Sequence, residues 1–433
     1  MTGFLLRLLQ PAYGHQLFQE LLACGISAPR AGEMALQEQN CYISISGADS
    51  PCTSLLFQQA ATVGCRVVVL GPHPGIAGHS RWLLYGIRQV LGTLAQILSA
   101  SPEPDILQLG GALSSVLAFE AQHRHSRSLT VRNLRCDWGT RTYVMGIVNV
   151  TPDSFSGDGV LNSDEYTVDA TARAVEQGLA FVREGADILD VGGESSRPGS
   201  HPVDARTEMQ RILPVIRRIR QISDVPISVD TTKAEVFAAA HAAGADILND
   251  ISAMQTDPAM RQLAAQTGVP VVLMHRSEAR QDALRRGSYG GHYVTDTEVS
   301  PAELGGMLES VMSGLQEAID AARLASIAPE RIIVDPGIGF GKSREENLFL
   351  VNHLDALRSL GLPILLGVSR KAFIGYTLDT PVNDRLEGTL AAVVIGVARG
   401  ADIIRVHDVR QAARAVRMAD ALIRQEPPLE ERL

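Results

Sequence analysis

Residues 143–150 read YVMGIVNV, an apolar and largely β-branched run that turns polar at Asn149. A helical pattern, YTVDATARAVEQGLAFVREG (166–185), follows it, and then a second apolar run, ADILDVGGE (186–194). Working outward, the theme recurs at VPISVDTT (225–232), ADILND (245–250), VPVVLMH (269–275), RIIVDPGIG (331–339), LPILLGVSR (362–370) and ADIIRVHD (401–408). Near-continuous apolar runs, as opposed to alternating ones, mark strands buried on both faces, as parallel sheets require. Helical stretches such as RTEMQRILPVIRRIRQI (206–222) lie between them. Gly185, Gly244, Gly268, Gly361 and Gly400 stand just before the next strand. Glycine accepts the left-handed turn that ends a helix at little cost. The runs make eight β-then-α units, which predict an α/β fold of the TIM (β/α)8 barrel type. An open doubly wound sheet is the alternative, though it seldom supplies so regular a count.

The remainder of the 433 residues is organised around that barrel. Residues 1–135 read as a small N-terminal α/β domain and 136–433 as the barrel. In the first, CYISISGADSPCTSLLFQQAATVGCRVVVLG (41–71) has the pattern strand, helix, strand, and SRWLLYGIRQVLGTLAQIL (80–98) that of an amphipathic helix. The loop GPHPGIAG (71–78) lacks the Gly-Lys-Ser/Thr of a phosphate loop and reads as a packing turn. A hairpin around DWGT (137–140) is expected to close the N-terminal mouth of the barrel.

Hydrophobic residues make up 45% of the chain, charged residues 20%, and the formal net charge is -9. This balance argues against a general affinity for nucleic acid or an anionic membrane. The five cysteines, Cys24, Cys41, Cys52, Cys65 and Cys136, have irregular spacing and form no C-x-x-C pair. Neither a zinc site nor a redox pair is expected from them, and an odd count fits a reducing, cytoplasmic compartment. The apolar start, MTGFLLRLLQ, has no basic region followed by a small-residue cleavage site and is not read as a signal peptide.

In a barrel of this kind chemistry sits at the C-terminal ends of the strands. Those ends carry Asn149, Glu194, Asp230, Asn249 with Asp250, His275, Asp335, Ser369 with Arg370 and Lys371, and Arg405 with His407. Any one of them alone is adequately explained as a cap or turn residue. That explanation weakens when polar groups follow nearly every strand. MGIVNVTPDSFSGDG (145–159) ends a strand on an amide and continues through Thr151, Asp153 and Ser154. ADILDVGGESSRPGS (186–200) follows a glycine pair with Ser196, Arg197 and Pro198, and an arginine there can grip a carboxylate or phosphate with two prongs.

These two stretches resemble the two signatures of the dihydropteroate synthases. The likeness continues in family order through SVDTTK, ILNDIS, LMH, DPGIGFGK, GVSRKAFIG and RVHDV, from about Met145 to Val409. The resemblance implies a pterin pocket of Asp335, Asn249, Asp230 and Lys371, with Phe340 over the ring. It implies a diphosphate between Asn149, Arg405 and His407 with Arg197 nearby, and Mg2+ bridging that diphosphate with Asn149 as its protein ligand. It places 4-aminobenzoate against Ser196, Arg197, Pro198 and Ser369, and puts Asp153 on the first mobile loop. The substrates so implied are a pterin diphosphate and 4-aminobenzoate, and the assembly a homodimer. Three departures from the pattern stand out: Ser196 where a Thr is commoner, ISAM (251–254) where a Gly pair is common, and a long polar stretch after His275. A methyltransferase acting on reduced folates would share the Asp, Asn and Asp pocket, but would have no need of SSRPG and SRK. A catalytically silent pterin-binding protein would have been marked by loss of Arg197, Lys371 or Asn149.

Overall fold

The computed structural model describes residues 5–9, 21, 24, 26–27, 30–31, 34, 40–48, 52–72, 79–122, 128–151, 168–194, 203–276 and 300–424. Asp153, Ser196, Arg197, Pro198, residues 73–78 of the expected packing turn and residues 277–299 after His275 lie outside them. Two compact units emerge. One comprises Met1–Ser126 with Thr295–Gly314 and His353–Gly361; the other comprises Arg127–Val294, Leu315–Asn352 and Leu362–Leu433.

The first unit is built on strands β1 (Leu5–Leu9), β2 (Asn40–Ala48), β3 (Arg66–Pro72) and β4 (His79–Ile87), in the order β1-β2-β4-β3. Every pairing in this sheet is antiparallel. Successive strand residues point to opposite faces, and both faces are covered here. Ile43, Ile45, Trp82 and Leu84 pack with Leu91, Leu94 and Leu98 of the helix Arg88–Ser99 and with Ile106, Leu109 and Leu113 of the helix Pro104–Gln122. Tyr42, Leu83 and Tyr85 pack on the other side with Leu21, Ala31 and Met34. This two-sided burial corrects one expectation. HSRWLLYGI is a strand and the helix begins only at Arg88, because an apolar run buried on both faces has no period that separates strand from helix. The apolar start of the chain likewise contributes strand β1.

The second unit carries β7 (Tyr143–Asn149), β8 (Ile188–Gly192), β9 (Ile227–Asp230), β10 (Ile247–Asp250), β11 (Val271–Met274), β12 (Ile332–Asp335), β13 (Leu365–Leu366) and β14 (Ile403–Val406). They form an eight-stranded sheet in the order β12-β11-β10-β9-β8-β7-β14-β13, with parallel pairing throughout. A parallel bridge between Val334 and Ile364 closes the ring. The eight-unit barrel is thus present, and all five helix-ending glycines have positive φ. The floor is sealed by a hairpin of β5 (Ser128–Val131) and β6 (Leu134–Asp137). Its turn falls at Arg132, with φ 54, and not at DWGT. Leu129, Val131 and Cys136 pack from the hairpin against the inward Met145, Ile188, Ile247, Val272 and Ile333. No helix among the described residues is long and apolar enough to cross a membrane.

Candidate active site at the C-terminal mouth of the barrel

A strand that is apolar at one inward position is inward again two residues later. Two residues beyond Ile188, Ile247, Ile333 and Ile403 of the apolar floor come Asp190, Asn249, Asp335 and Arg405. The barrel interior therefore changes from hydrocarbon to a polar layer within one strand repeat. Asp230 joins that layer from β9, in register with Asn249 and Gly192.

Arg405 is the centre of the layer. Its Nε donates to Oδ2 of Asp190 at 2.6 Å and its Nη2 to Oδ2 of Asp230 at 2.7 Å. Asn249 Nδ2 donates to the same Asp190 oxygen at 3.1 Å. Burial weighs against the charge of Arg405, but Asp190 and Asp230 outweigh it and hold the guanidinium more firmly protonated than usual. Burial pushes the Asp230 carboxyl upward, Arg405 pulls it back, and Asp190, Glu208 and Asp250 add to the rise.

Asp335 ends β12 on a turn. Its Oδ1 accepts from the backbone N–H of Gly337 at 2.7 Å. Burial pushes its pKa up, against the Gly337 N–H and the cations of Lys371, Arg405 and Lys342. Gly337 has φ 70, and a Cβ there would lie 1.9 Å from the carbonyl oxygen of His275, so only glycine fits. Lys342 Nζ donates to the carbonyls of Gly337 at 2.9 Å and Phe340 at 3.2 Å and lies 3.2 Å from His275 Nδ1, tying this turn to the end of β11.

Lys371 Nζ donates to the carbonyl of Ile338 and sits 4.4 Å from the centroid of the Phe340 ring. Burial lowers its pKa to about 8, with Asp335 and Asp230 supporting the charge and Arg405 opposing it. The preceding Arg370 has φ 55 and pairs with Asp408. Ser369 Oγ accepts from the His407 N–H at 3.1 Å and lies 3.0 Å from His407 Nδ1. The loops after β13 and β14 are therefore joined twice. The Asp408 carboxylate is taken by Arg370, while Arg405 turns inward to Asp190 and Asp230.

Asp230, Asn249, Asp335, Lys371, Phe340 and Arg405 are thus joined by direct contacts or by mutual electrostatics. Ser369 and His407 form a second pair, reached from the same loops. Asn149 ends β7 in register with Gly192. Glu194 is tied to Lys233, whose ammonium also donates to buried Glu208 at 2.7 Å. Gly193 is required beneath it, since a Cβ would meet Ile212 Cγ2 at 2.9 Å and Glu208 Cγ at 3.0 Å. In the ISAM stretch Ala253 (φ 51) and Met254 (φ 59) both adopt the left-handed conformation, which is the physical reason a glycine pair suits that position. Sequence reasoning missed Asp190. The signal was a carboxylate in the middle of the apolar run ILDVG, where burial demands a cationic partner.

The profile of the family described as "Pterin binding enzyme" matches residues 145–407. The dihydropteroate synthase of Clostridium beijerinckii is 42% identical over 287 residues, covering 66% of this chain and 96% of that protein. That of Synechocystis sp. is 44% identical over 289 residues, covering 66% and 92%. Among solved structures, Xanthomonas albilineans dihydropteroate synthase with 4-aminobenzoic acid superposes with a TM-score of 0.59 at 39% identity, over 70% of this chain and all (100%) of that one. The Yersinia pestis enzyme in a sulfonamide drug complex gives a TM-score of 0.59 at 36% identity, over 69% and 100%. With a profile match that spans the barrel strands from β7 to β14, the chain belongs to the pterin binding enzyme family and, within it, to the dihydropteroate synthases.

Proposed function

We propose that the chain condenses (7,8-dihydropterin-6-yl)methyl diphosphate with 4-aminobenzoate, giving 7,8-dihydropteroate and diphosphate in folate biosynthesis. The observation that carries this reading is the polar layer at the barrel mouth, where Arg405 is held by Asp190 and Asp230 beside Asn249. A pterin edge offers an amino group and ring nitrogens. Asp335 supplies an acceptor for them, Asn249 an amide that both donates and accepts, and Lys371 a donor for the ring carbonyl or a ring nitrogen. Phe340 covers the ring face. The bond from the pterin methylene carbon to the diphosphate oxygen breaks, and its electron pair leaves with the diphosphate. The aniline nitrogen of 4-aminobenzoate then bonds to that carbon and loses a proton. Asp230 and Asp335 favour the positive charge that develops on the pterin, and Arg405 with His407 receives the departing diphosphate. Ser369 lies beside the path of the aminobenzoate, with Ser196, Arg197 and Pro198 as its further contacts and Arg197 also reaching the diphosphate. Asp153 is assigned to the first loop over the same mouth.

Mg2+ suits the donor set. Asn149 is one hard oxygen ligand at a strand end, and Mg2+ commonly takes most of its ligands from phosphate and water. Among the described residues no cluster of three His, Cys, Asp or Glu forms a cage of its own, so the diphosphate would contribute the other anionic oxygens. When bound, the ion would offset leaving-group charge. The activity belongs, on this reading, to residues 136–433, with residues 1–135 an extension of separate role. Exposed Leu378, Ile395, Met418 and Leu422, on the last barrel helices, support a homodimer through those helices. Free thiols at Cys41, Cys65 and Cys136 support the cytoplasm as its location. Incubation of the purified protein with both substrates and Mg2+ should yield dihydropteroate and diphosphate in equal amounts. Diphosphate release without dihydropteroate, or no turnover at all, would overturn the assignment.

A further inference from the structure

We propose that Asp190 is a positioning residue that sets the hydrogen-bonding polarity of the pterin pocket while touching no substrate. The inference deepens the functional reading above and rests on it. Asp190 is 0% exposed, in the middle of β8, so a ligand entering from solvent does not reach it. Its Oδ2 takes two donors at once, Arg405 Nε at 2.6 Å and Asn249 Nδ2 at 3.1 Å.

Each contact has a directional consequence. An ionised carboxylate can only accept. The amide of Asn249 must therefore turn its nitrogen toward Asp190, and its Oδ1 is left on the opposite side. A free asparagine presents either end, and the choice is decided by the hydrogen-bond network around it. Here the network has one answer. Arg405 is fixed in the same way. With Nε on Asp190 and Nη2 on Asp230, the guanidinium plane is set from two sides, and its remaining N–H groups are left for an anionic partner. The second oxygen of Asp190, Oδ1, is buried with no hydrogen-bond partner among the described residues. Such a group is costly. A carboxylate kept in that position despite the cost points to a role that a neutral side chain would not fill.

The test is Asp190→Asn, titrated calorimetrically against two separate probes, unsubstituted pterin and inorganic diphosphate. Asparagine keeps the shape but offers both an acceptor and a donor, so Asn249 is no longer confined to one orientation. Pterin affinity should fall at least tenfold. Diphosphate affinity should stay within threefold or rise, because Arg405 loses one of its two carboxylates. A native melting curve with both affinities reduced in the same proportion, or with pterin affinity intact, would overturn the proposal. A second measurement needs no variant of Asp190. In the ligand-free wild type, the side-chain NH2 protons of Asn249, assigned by their loss in Asn249→Asp, should be protected from exchange with solvent deuterium. Exchange at the rate of an exposed side-chain amide would refute the fixed orientation even if Asp190→Asn does not fold. Should the wild type bind neither probe, the pocket assignment fails instead, while the amide resonances still report on the Asp190 contact.

Discussion

Replacing Asp335 by Asn removes one charge and no volume, yet the turn that follows β12 makes it a severe change. The Gly337 N–H points at Oδ1 of Asp335 from 2.7 Å and requires an acceptor there. In Asp335→Asn the amide oxygen must take that place, because the alternative sets two donors against each other. The amide nitrogen is then forced toward the pocket, where a pterin presents its own amino group. A hydrogen bond to a charged group contributes roughly 1.5–3 kcal/mol, and a buried donor left without a partner costs about 1–3 kcal/mol. Together these give a loss of about 2.5–6 kcal/mol, or roughly two to four decades in Kd at 1.4 kcal/mol per decade. Calorimetric titration of a pterin into wild type and Asp335→Asn measures it directly, with circular dichroism to show that both are folded. A loss of less than tenfold would refute both the forced orientation and the place of Asp335 in the pterin pocket.

Lys371, with Asp335, Asp230, Arg405 and the Ile338 carbonyl around it, has its pKa lowered to about 8 by burial. It is charged below that pH and loses its proton as pH rises through it, so kcat/KM for the pterin diphosphate should decline above about pH 8; in Lys371→Arg, where the side chain stays charged, that decline should vanish from the pH profile. Ala253→Gly should leave stability unchanged or raise it by up to about 1 kcal/mol, since relief of left-handed strain exceeds or matches the added chain entropy. Met254→Gly should instead lower stability by about 2 kcal/mol or more through loss of a buried side chain; urea unfolding midpoints would distinguish the two, and a clear loss on Ala253→Gly would remove the strain argument. A chain beginning at Arg127 should keep synthase activity but melt at a lower temperature, because Thr295–Gly314 and His353–Gly361 belong to the unit that is removed. A chain beginning at Arg132 loses β5 and with it Leu129 and Val131 from the barrel floor, and should still turn over but melt lower again; equal melting temperatures for the two truncations would refute the role given to the hairpin.

The barrel was legible because its strands are buried on both faces, and each then ends abruptly in polar residues. The glycines at 185, 244, 268, 361 and 400 punctuated it, and every one adopts the positive φ that the punctuation implied. The first unit was less legible for the same physical reason. HSRWLLYGI and its neighbour RQVLGTLAQILS are both rich in apolar residues, but only the second has a helical stripe, and the boundary between them falls at Arg88 without a glycine or proline to mark it. The hairpin turn at Arg132-Asn133 was overlooked in favour of DWGT, although Asn-containing turns suit the tight antiparallel connection equally well. At the site, strand ends announced Asp230, Asn249, Asp335 and Arg405. What strand ends cannot announce is a residue two positions below the mouth. Asp190 sits there, in a run whose other members are all explained by burial, and its partner Arg405 is 215 residues away.

That depth matters for how the site manages charge. Asp190, Asp230 and Asp335 share a confined layer with Arg405 and Lys371, and Lys342 adds its field at Asp335. The negative charge is not matched evenly. Asp190 lies below, fully enclosed, and is already matched by Arg405. The carboxylates left nearer the mouth are Asp230, which shares Arg405, and Asp335, which has a backbone N–H and the more distant field of Lys371. A pterin that becomes cationic as its diphosphate departs would meet negative charge at its ring, while the diphosphate meets the unused N–H groups of Arg405. In water such separation of charge is screened within about 10 Å at ordinary salt. Inside the barrel, where these groups are buried and fixed, it is screened far less. Exchanging Asp190 for a neutral residue would therefore do more than loosen Arg405. It would shift that guanidinium's attraction wholly onto Asp230, and withdraw from the pterin part of the negative field that stabilises its cationic form.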